Sequence, residues 1–184
     1  MKTKIEQEEV EIINKYVNGI VLDLGCGEGR LYPLLSKKGN YCGIDIDSKY
    51  ITKAKTSFPK GCFEIMNGDY LSFGDMYFDI VFCGFNVIDE IGDKALSEIY
   101  RVLKTGGLFI FSYHNILNPT CLRYYLMRDA VTRANKRIKV KFRTLSKIKT
   151  KLSNFQFIKK YGGVFNLYPY CIFKKKLKEE EYKK

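Results

Sequence analysis

The sequence predicts an α/β fold built on a parallel, doubly wound sheet. Short apolar runs alternate with helix-periodic stretches from the first residues to about residue 110, the signature of βαβ units. A glycine-rich turn, with Gly25, Gly27 and Gly29, directly follows the first apolar run. The chain has 184 residues, of which 46% are apolar and 15% aromatic, enough to fill the core of a single domain spanning 1–184.

The elements follow in order. Residues 3–17 read as an amphipathic helix with Ile5, Ile12, Ile13, Tyr16 and Val17 as its apolar members. Ile20 to Leu24 is an apolar run suited to a buried parallel strand. A helix over about 29–38 closes at Gly39, and Tyr41 to Ile46 is the second strand. Asp47 or Ser48 caps a helix that Pro59 stops. Cys62 to Met66 and Phe78 to Cys83 are the third and fourth strands. A helix over Asp93 to Leu103 ends at Thr105-Gly106-Gly107, and Leu108 to Tyr113 is the fifth strand. The pattern then changes. Asn118-Pro119 reads as a helix start, with a basic helix running to about Ala134 and a second helix over about 145–153. Phe155 to Tyr161 and Tyr170 to Lys174 are strand candidates for an antiparallel hairpin, and the tail beyond is expected to fray.

Composition excludes several classes. No apolar run reaches the roughly 18 residues of a membrane span, and Met1 to Val10 is charged where a signal peptide would be apolar. A cytoplasmic protein, monomeric or dimeric, is expected. The six cysteines, at 26, 42, 62, 83, 121 and 171, show no CxxC spacing, and His114 is the only histidine. The spacing argues against a zinc site, and the thiols read as small buried groups in a reducing compartment. No metal is expected. The net charge of +12 is uneven. Residues 1–121 carry 13 Lys/Arg against 16 Asp/Glu, whereas residues 122–184 carry 19 against 4. Such asymmetry marks either a surface that meets an anion or a solvated lysine-rich face.

The chemistry-bearing stretch is Val21 to Arg30. Its glycines follow a strand and open a helix, so the backbone can turn sharply and approach a ligand. A dinucleotide fingerprint would place its third glycine where Arg30 stands. Asp23, two residues before Gly25, suits a ligand carrying an ammonium group better than a pyrophosphate. Asp45, at the end of the second strand, can accept from both hydroxyls of a ribose. Asp69 could accept from an adenine amino group, and Tyr70 could cover the ring. Together the three acids describe a ligand with an amino group, a ribose and an adenine. S-adenosylmethionine fits that description.

On these residues the chain resembles class I S-adenosylmethionine-dependent methyltransferases of the small-molecule type. VLDLGCGEGRL is similar to the family's first motif, GIDID to its acidic motif and NGDYLSF to its adenine-side motif. FDIVFCGFNVIDEI and EIYRVLKTGGLFIFS are similar to its fourth-strand and helix-to-fifth-strand elements, with Thr105 where proline is common. The resemblance covers roughly residues 17–114. It implies a Rossmann-like sheet of seven strands, mostly parallel with an antiparallel last strand. It also implies S-adenosylmethionine as cofactor and S-adenosylhomocysteine as product. The expected cofactor-binding residues are Asp23, Gly25, Cys26, Gly27, Asp45, Ile46, Asp69, Tyr70 and Phe85.

The acceptor is expected beyond the carboxyl ends of the fourth and fifth strands, near Asn86, Asp89, Glu90, Tyr113, His114 and Asn115. His114 is the candidate general base, the alternative being a purely positioning role. The stretch after the fourth strand lacks the Asn/Asp-Pro-Pro-aromatic motif of base-amino methyltransferases. Residues 115–154 read as a basic helical insert, with 11 Lys/Arg and one acid, Asp129, between 123 and 151. As a lid it would suit a phosphate-bearing small molecule or glycan methylated on oxygen or nitrogen, with RNA as the second reading. A non-catalytic cofactor-binding protein is the third, which intact Asp23, Asp45 and Asp69 argue against.

Overall fold

The computed structural model describes residues 6–126, 131–133, 136–138 and 144–177. Its elements in chain order are α1 (Gln7–Tyr16), β1 (Val21–Leu24), α2 (Tyr32–Leu35), β2 (Tyr41–Asp45), α3 (Ser48–Ser57), β3 (Cys62–Ile65) and β4 (Phe78–Cys83). They continue with α4 (Asp93–Val102), β5 (Leu103–Ser112), α5 (Pro119–Leu126), β6 (Val131–Arg133), β7 (Lys136–Ile138), α6 (Leu145–Lys151), β8 (Phe155–Tyr161) and β9 (Tyr170–Lys175). Seven strands form one sheet in the order β3-β2-β1-β4-β5-β9-β8, and β6 and β7 form a separate hairpin. The first five sheet strands pair in parallel, and β9 runs antiparallel to both β5 and β8. The α/β, Rossmann-like architecture expected from the sequence is therefore present, with its antiparallel last strand.

Strand alternation builds two cores, one on each face of the sheet. Leu22, Leu24, Val81, Phe109, Phe111 and Phe173 pack on one face with Ile99 and Val102 of α4 and Ile148 of α6. Val21, Ile80, Phe82, Ile110 and Ile172 pack on the other with Ile12 and Ile13 of α1 and Leu35 of α2. A register shift between Phe157 and Lys159 in β8 lets Phe157 join the first core and Tyr161 the second.

Four elements differ from the sequence reading. The helix expected over 29–38 shrinks to α2, because the chain from Gly25 to Leu31 is spent in tight turns. β5 begins at Leu103, with a register shift against β4 absorbing Gly106-Gly107. The described α5 reaches Leu126, and Val131–Arg133, expected as the last turn of a basic helix running to Ala134, form strand β6 of the β6–β7 hairpin instead. β9 extends to Lys175, whose ammonium donates to the Leu103 carbonyl at 2.7 Å, so this part of the tail is docked. Among the described residues no helix is long and apolar enough to cross a membrane.

One ionic contact joins the ends of the fold. The Glu9 carboxylate on α1 is buried and accepts from both terminal nitrogens of Arg30, at 2.6 Å each. It also accepts from the Glu6 backbone N–H at 2.9 Å and from the Tyr170 hydroxyl of β9. Burial pushes this carboxyl up, but the Arg30 and Tyr170 hydrogen bonds outweigh it and hold it below its ordinary value. Removing one partner of a buried pair strands the other charge. Glu9→Ala is expected to destabilise the fold by about 3–5 kcal/mol in urea titration. Loss of less than about 1 kcal/mol, the range of a surface pair, would refute the assignment.

Candidate functional site

The sheet's carboxyl edge gathers the residues singled out in the sequence. β1 is the central strand between β2 and β4, where the strand order reverses, and a crevice forms at that switch point. The chain leaves β1 through Gly25, with the backbone N–H groups of Gly25 and Cys26 both donating to the Ile44 carbonyl, at 2.8 and 2.9 Å. Gly25 has φ 75°, and a Cβ there would meet Val87 at 2.5 Å, so both conformation and space require glycine. Gly27 has φ 55°, but a Cβ there would meet nothing within 4 Å. The backbone at Gly27 is thus bare toward open space.

Asp45 terminates β2 and is locked by two backbone donors. Gly27 N–H bonds its Oδ2 and Asp47 N–H its Oδ1, each at 2.9 Å. Each carboxylate oxygen has capacity for a second donor. The carboxylate is therefore aimed and can still accept from two adjacent hydroxyls. Asp47 also caps α3 by accepting from Lys49 N–H, the helix-cap role its position suggests.

Asp23 is buried on the face shared with α1 and accepts from the Tyr41 hydroxyl at 2.9 Å. Burial pushes its carboxyl up to about 7, against the opposing pull of the Tyr41 hydroxyl and the Arg30 guanidinium. The Asp45 charge adds to the rise. Cys26 is buried beside them, and burial first, then Asp23 and Asp45, push its thiol up, so it is a neutral lining group.

The apolar candidates stand at the rim. Ile46 is 71% exposed, Tyr70 65% and Phe85 44%, unusual for large apolar groups clustered after strand ends. The Lys94 ammonium lies 3.3 Å from the Tyr70 ring centroid, and the Arg30 guanidinium 5.4 Å from that of Phe85. Asp69 is half-buried in a turn closed by its own N–H donating to Asn67 Oδ1 at 3.0 Å.

The residues expected on the acceptor side lie on the loops after β4 and β5. Phe85 and Asn86 both have positive φ, 53° and 63°. The Asn86 N–H donates to Ser112 Oγ at 2.9 Å, and its side-chain Oδ1 is buried with no hydrogen-bond partner among the described residues. His114, just past β5, is buried. Its Nδ1 lies 2.9 Å from Asp89 Oδ2, which also accepts the His114 backbone N–H at 2.7 Å. The imidazole edge meets the Tyr168 ring at 5.1 Å between centroids. Asn115 donates to the Val164 and Asn166 carbonyls at 2.7 and 3.0 Å, pinning the β8–β9 loop over this end.

The structure thus joins Gly27 to Asp45 directly and sets Asp23 and Cys26 within electrostatic reach of Asp45. His114 follows β5, two strands from β1 and three from β2 in the sheet order. Sequence reasoning missed the Glu9–Arg30 pair, which seats Arg30 against Phe85, and the tie between Asp89 and His114. Arg30 sat inside the recognised motif. Glu9 carried no signal, since its partners arrive from residues 30 and 170. Asp75 and Asp79 are structural: Asp75 pairs with Arg101, while Asp79 accepts from Ile20 N–H and pairs with Lys104. Of the basic segment, Arg133, Lys136 and Arg137 fall on the β6–β7 hairpin, and Lys139 lies outside the described residues.

Residues 22–111 match the methyltransferase domain family. An uncharacterised protein of Methanocaldococcus jannaschii is 31% identical over 145 residues, covering 76% of this chain and 55% of that protein. The chloroplastic 2-phytyl-1,4-beta-naphthoquinone methyltransferase of Arabidopsis thaliana is 39% identical over 104 residues, covering 47% of this chain and 38% of that enzyme. The chain therefore spans about half the length, or less, of these curated relatives. A crystal structure of an S-adenosylmethionine-dependent methyltransferase from Methanosarcina mazei superposes with a TM-score of 0.76 at 21% identity, covering 96% of this chain and all of that one.

The raised Asp23 carboxyl gives a pH signature in the ligand-free protein. The folded state holds this proton more tightly than the unfolded chain, whose value is near the ordinary 3.8. Its contribution is complete below about pH 4 and is lost as pH rises through about 7. Asp23→Asn, which keeps an acceptor for Tyr41, should therefore gain stability over the parent at pH 8 and gain nothing at pH 4. Parallel stability curves for the two proteins from pH 4 to 8 would show that Asp23 is not perturbed.

Proposed function

Because the chain carries a methyltransferase domain in the class I S-adenosylmethionine-dependent fold, we propose that it methylates an oxygen or nitrogen of an anionic small-molecule or glycan acceptor. The observation that carries the cofactor half is the Asp45 carboxylate, held by two backbone N–H groups beside the bare backbone of Gly27. S-adenosylmethionine would supply an already activated sulfonium methyl group, and S-adenosylhomocysteine would leave. Asp45 accepts from the ribose hydroxyls. Asp23 faces the amino-acid end, where an ammonium group favours its ionised form. Gly25, Cys26 and Gly27 line the turn. Ile46, Tyr70 and Phe85 offer exposed apolar surface to the adenosine, and Asp69 accepts from the adenine amino group.

The protein's remaining task is alignment of a nucleophile and exclusion of water. An oxygen or nitrogen acceptor that arrives protonated needs a base. With Asp89 ionised, Nδ1 of His114 keeps its proton and the lone pair sits on Nε2. In this reading His114 takes the acceptor's proton and Asp89 orients it. Asn86, with its buried carbonyl oxygen, lies between the two half-sites. The basic segment 115–154 covers the acceptor as a lid, its charge matched to a phosphate-bearing group. RNA is the second reading, and the same charge supports it.

Calorimetry should show binding of S-adenosylmethionine and S-adenosylhomocysteine and none of NAD. Asp45→Ala should weaken that binding by about 1.5–3 kcal/mol, the range of hydrogen bonds to a charged group. Parent-like binding by this variant would refute its role. His114→Gln and Asp89→Asn should each lower kcat by roughly 10²–10⁴-fold with cofactor affinity unchanged, measured in single-turnover assays with labelled cofactor. Equal losses in cofactor affinity would assign both residues to structure instead.

Replacing Arg133, Lys136, Arg137 and Lys139 with Gln should raise the acceptor KM strongly and leave cofactor affinity in place. A small anionic acceptor predicts a shallow salt dependence. RNA predicts a slope of about one log unit per phosphate contacted. Unchanged acceptor kinetics in the four-Gln variant at low and high salt would return this segment to a solvated surface.

A further inference from the structure

Cys42 and Cys62 are 20 residues apart in sequence, yet β2 and β3 pair in parallel with these two residues in direct register. Their Sγ atoms are 3.1 Å apart. Glu64 stands two residues along β3, on the same side of the strand as Cys62, and its Oε1 lies 4.0 Å from Cys62 Sγ. The three donor atoms lie within 4.8 Å of one another, the one such group among the described residues. Cys62 and Glu64 are exposed and Cys42 is half-buried, so an ion has a path in from solvent.

We propose that Cys42, Cys62 and Glu64 form a binding site for a thiophilic divalent cation of the Zn2+ type. Two thiolates and a carboxylate are an established ligand mixture for Zn2+, with bonds of about 2.3 Å to sulfur and about 2.0–2.2 Å to oxygen. Tetrahedral bonds of that length set two sulfurs about 3.8 Å apart, so the pair has only to open slightly by rotation about χ1. A water completes the fourth position. On binding, each thiol gives up its proton to solvent as its sulfur–metal bond forms, and no group is oxidised or reduced. A disulfide would use the two sulfurs alone and leave the adjacent Glu64 without a part. The carboxylate is what marks the trio as a cation site.

The position assigns its effect. Cys42 lies near the start of β2 and Cys62 opens β3, so the trio sits at the amino ends of the strands. Asp45 is three residues further along β2, about 10 Å away at the rise of a strand. The ion would therefore clip the edge strand β3 to β2 without touching the crevice, and the inference stands independently of the methyltransferase reading.

The test uses the full chain, stripped of metal and kept reduced with a phosphine. Titration with Cd2+, followed by the ultraviolet thiolate-to-metal charge-transfer band, should saturate at one equivalent, and Zn2+ in large excess should displace the band. Cys42→Ser and Cys62→Ser should each lose the saturable two-thiolate band. Glu64→Gln should keep it with affinity lowered at least tenfold. Zn2+ should raise the melting temperature of the parent and leave that of Cys62→Ser unchanged, with circular dichroism confirming that both fold. Absence of a saturable band in the reduced parent would overturn the proposal. So would a band that survives both serine variants, or a Cys42–Cys62 disulfide in anaerobically purified protein whose reduced form takes up no metal.

Discussion

The architecture turns on one saturated carboxylate. Glu9 receives donors from its own helix, from Arg30 and from Tyr170, filling the roughly four lone-pair sites a carboxylate offers. A buried charge is tolerated only when it is met in this way. The pair fixes α1 against the sheet face that carries Asp23. It anchors the residue that ends the glycine turn, and it ties β9 to the amino end of the chain. Arg30, so held, lies against the Phe85 ring and offsets part of the negative charge around Asp23. Part of the crevice wall is thus anchored by a contact between α1, the glycine turn and β9.

The carboxyl edge of the sheet concentrates acids for a reason of topology. Parallel strands place all their carboxyl ends on one side, so Asp23, Asp45 and the turn containing Asp69 converge there although 22 and 24 residues separate them in sequence. Burial makes Asp23 a weaker acid than an ordinary carboxyl, and the Asp45 charge adds to the rise. Backbone N–H groups hold the Asp45 carboxylate at both oxygens. One carboxyl poised near neutrality beside another aimed by backbone donors suits a ligand with hydroxyls at one end and a cation at the other.

Much of this was legible in the chain, and the rest failed for definable reasons. β4 begins and ends where its apolar run does, because a strand buried on both faces leaves no ambiguity of period. The glycine motif placed its turn correctly because φ near 75° at Gly25 excludes other residues. The extent of α2 was misread because a helical period cannot distinguish successive tight turns from a helix over one or two turns. The reach of α5 was misread because no glycine or proline interrupts residues 120–134 and their leucine, methionine, alanine and arginine carry good helix propensity. Glu9 and the Cys42–Cys62 pair escaped for a common reason. Each depends on partners set by strand order, and spacing rules look only along the chain.

The turn after β4 shows where the fold departs from its own local rules. Phe85 and Asn86 both occupy the left-handed region, at roughly 1–2 kcal/mol for each residue with a Cβ. Asparagine tolerates this conformation and phenylalanine gains nothing from it. The strain is held by a bond from Asn86 N–H to Ser112 Oγ on the neighbouring strand, while Asn86 Oδ1 stays buried without a partner among the described residues. Each penalty could be relieved only separately: glycine at 85 would remove the strain there, and an apolar side chain at 86 would remove the orphaned oxygen but raise the strain at that residue. Their coincidence at the switch point of the sheet, between the acids after β1 and β2 and the histidine after β5, has no account in packing. Strained backbone and orphaned polar atoms gather where a surface is shaped for something other than itself. In the proposed reaction that surface is the seam between methyl donor and acceptor. There the strain presents the Phe85 ring, and the Asn86 carbonyl is left open to a donor on a bound molecule.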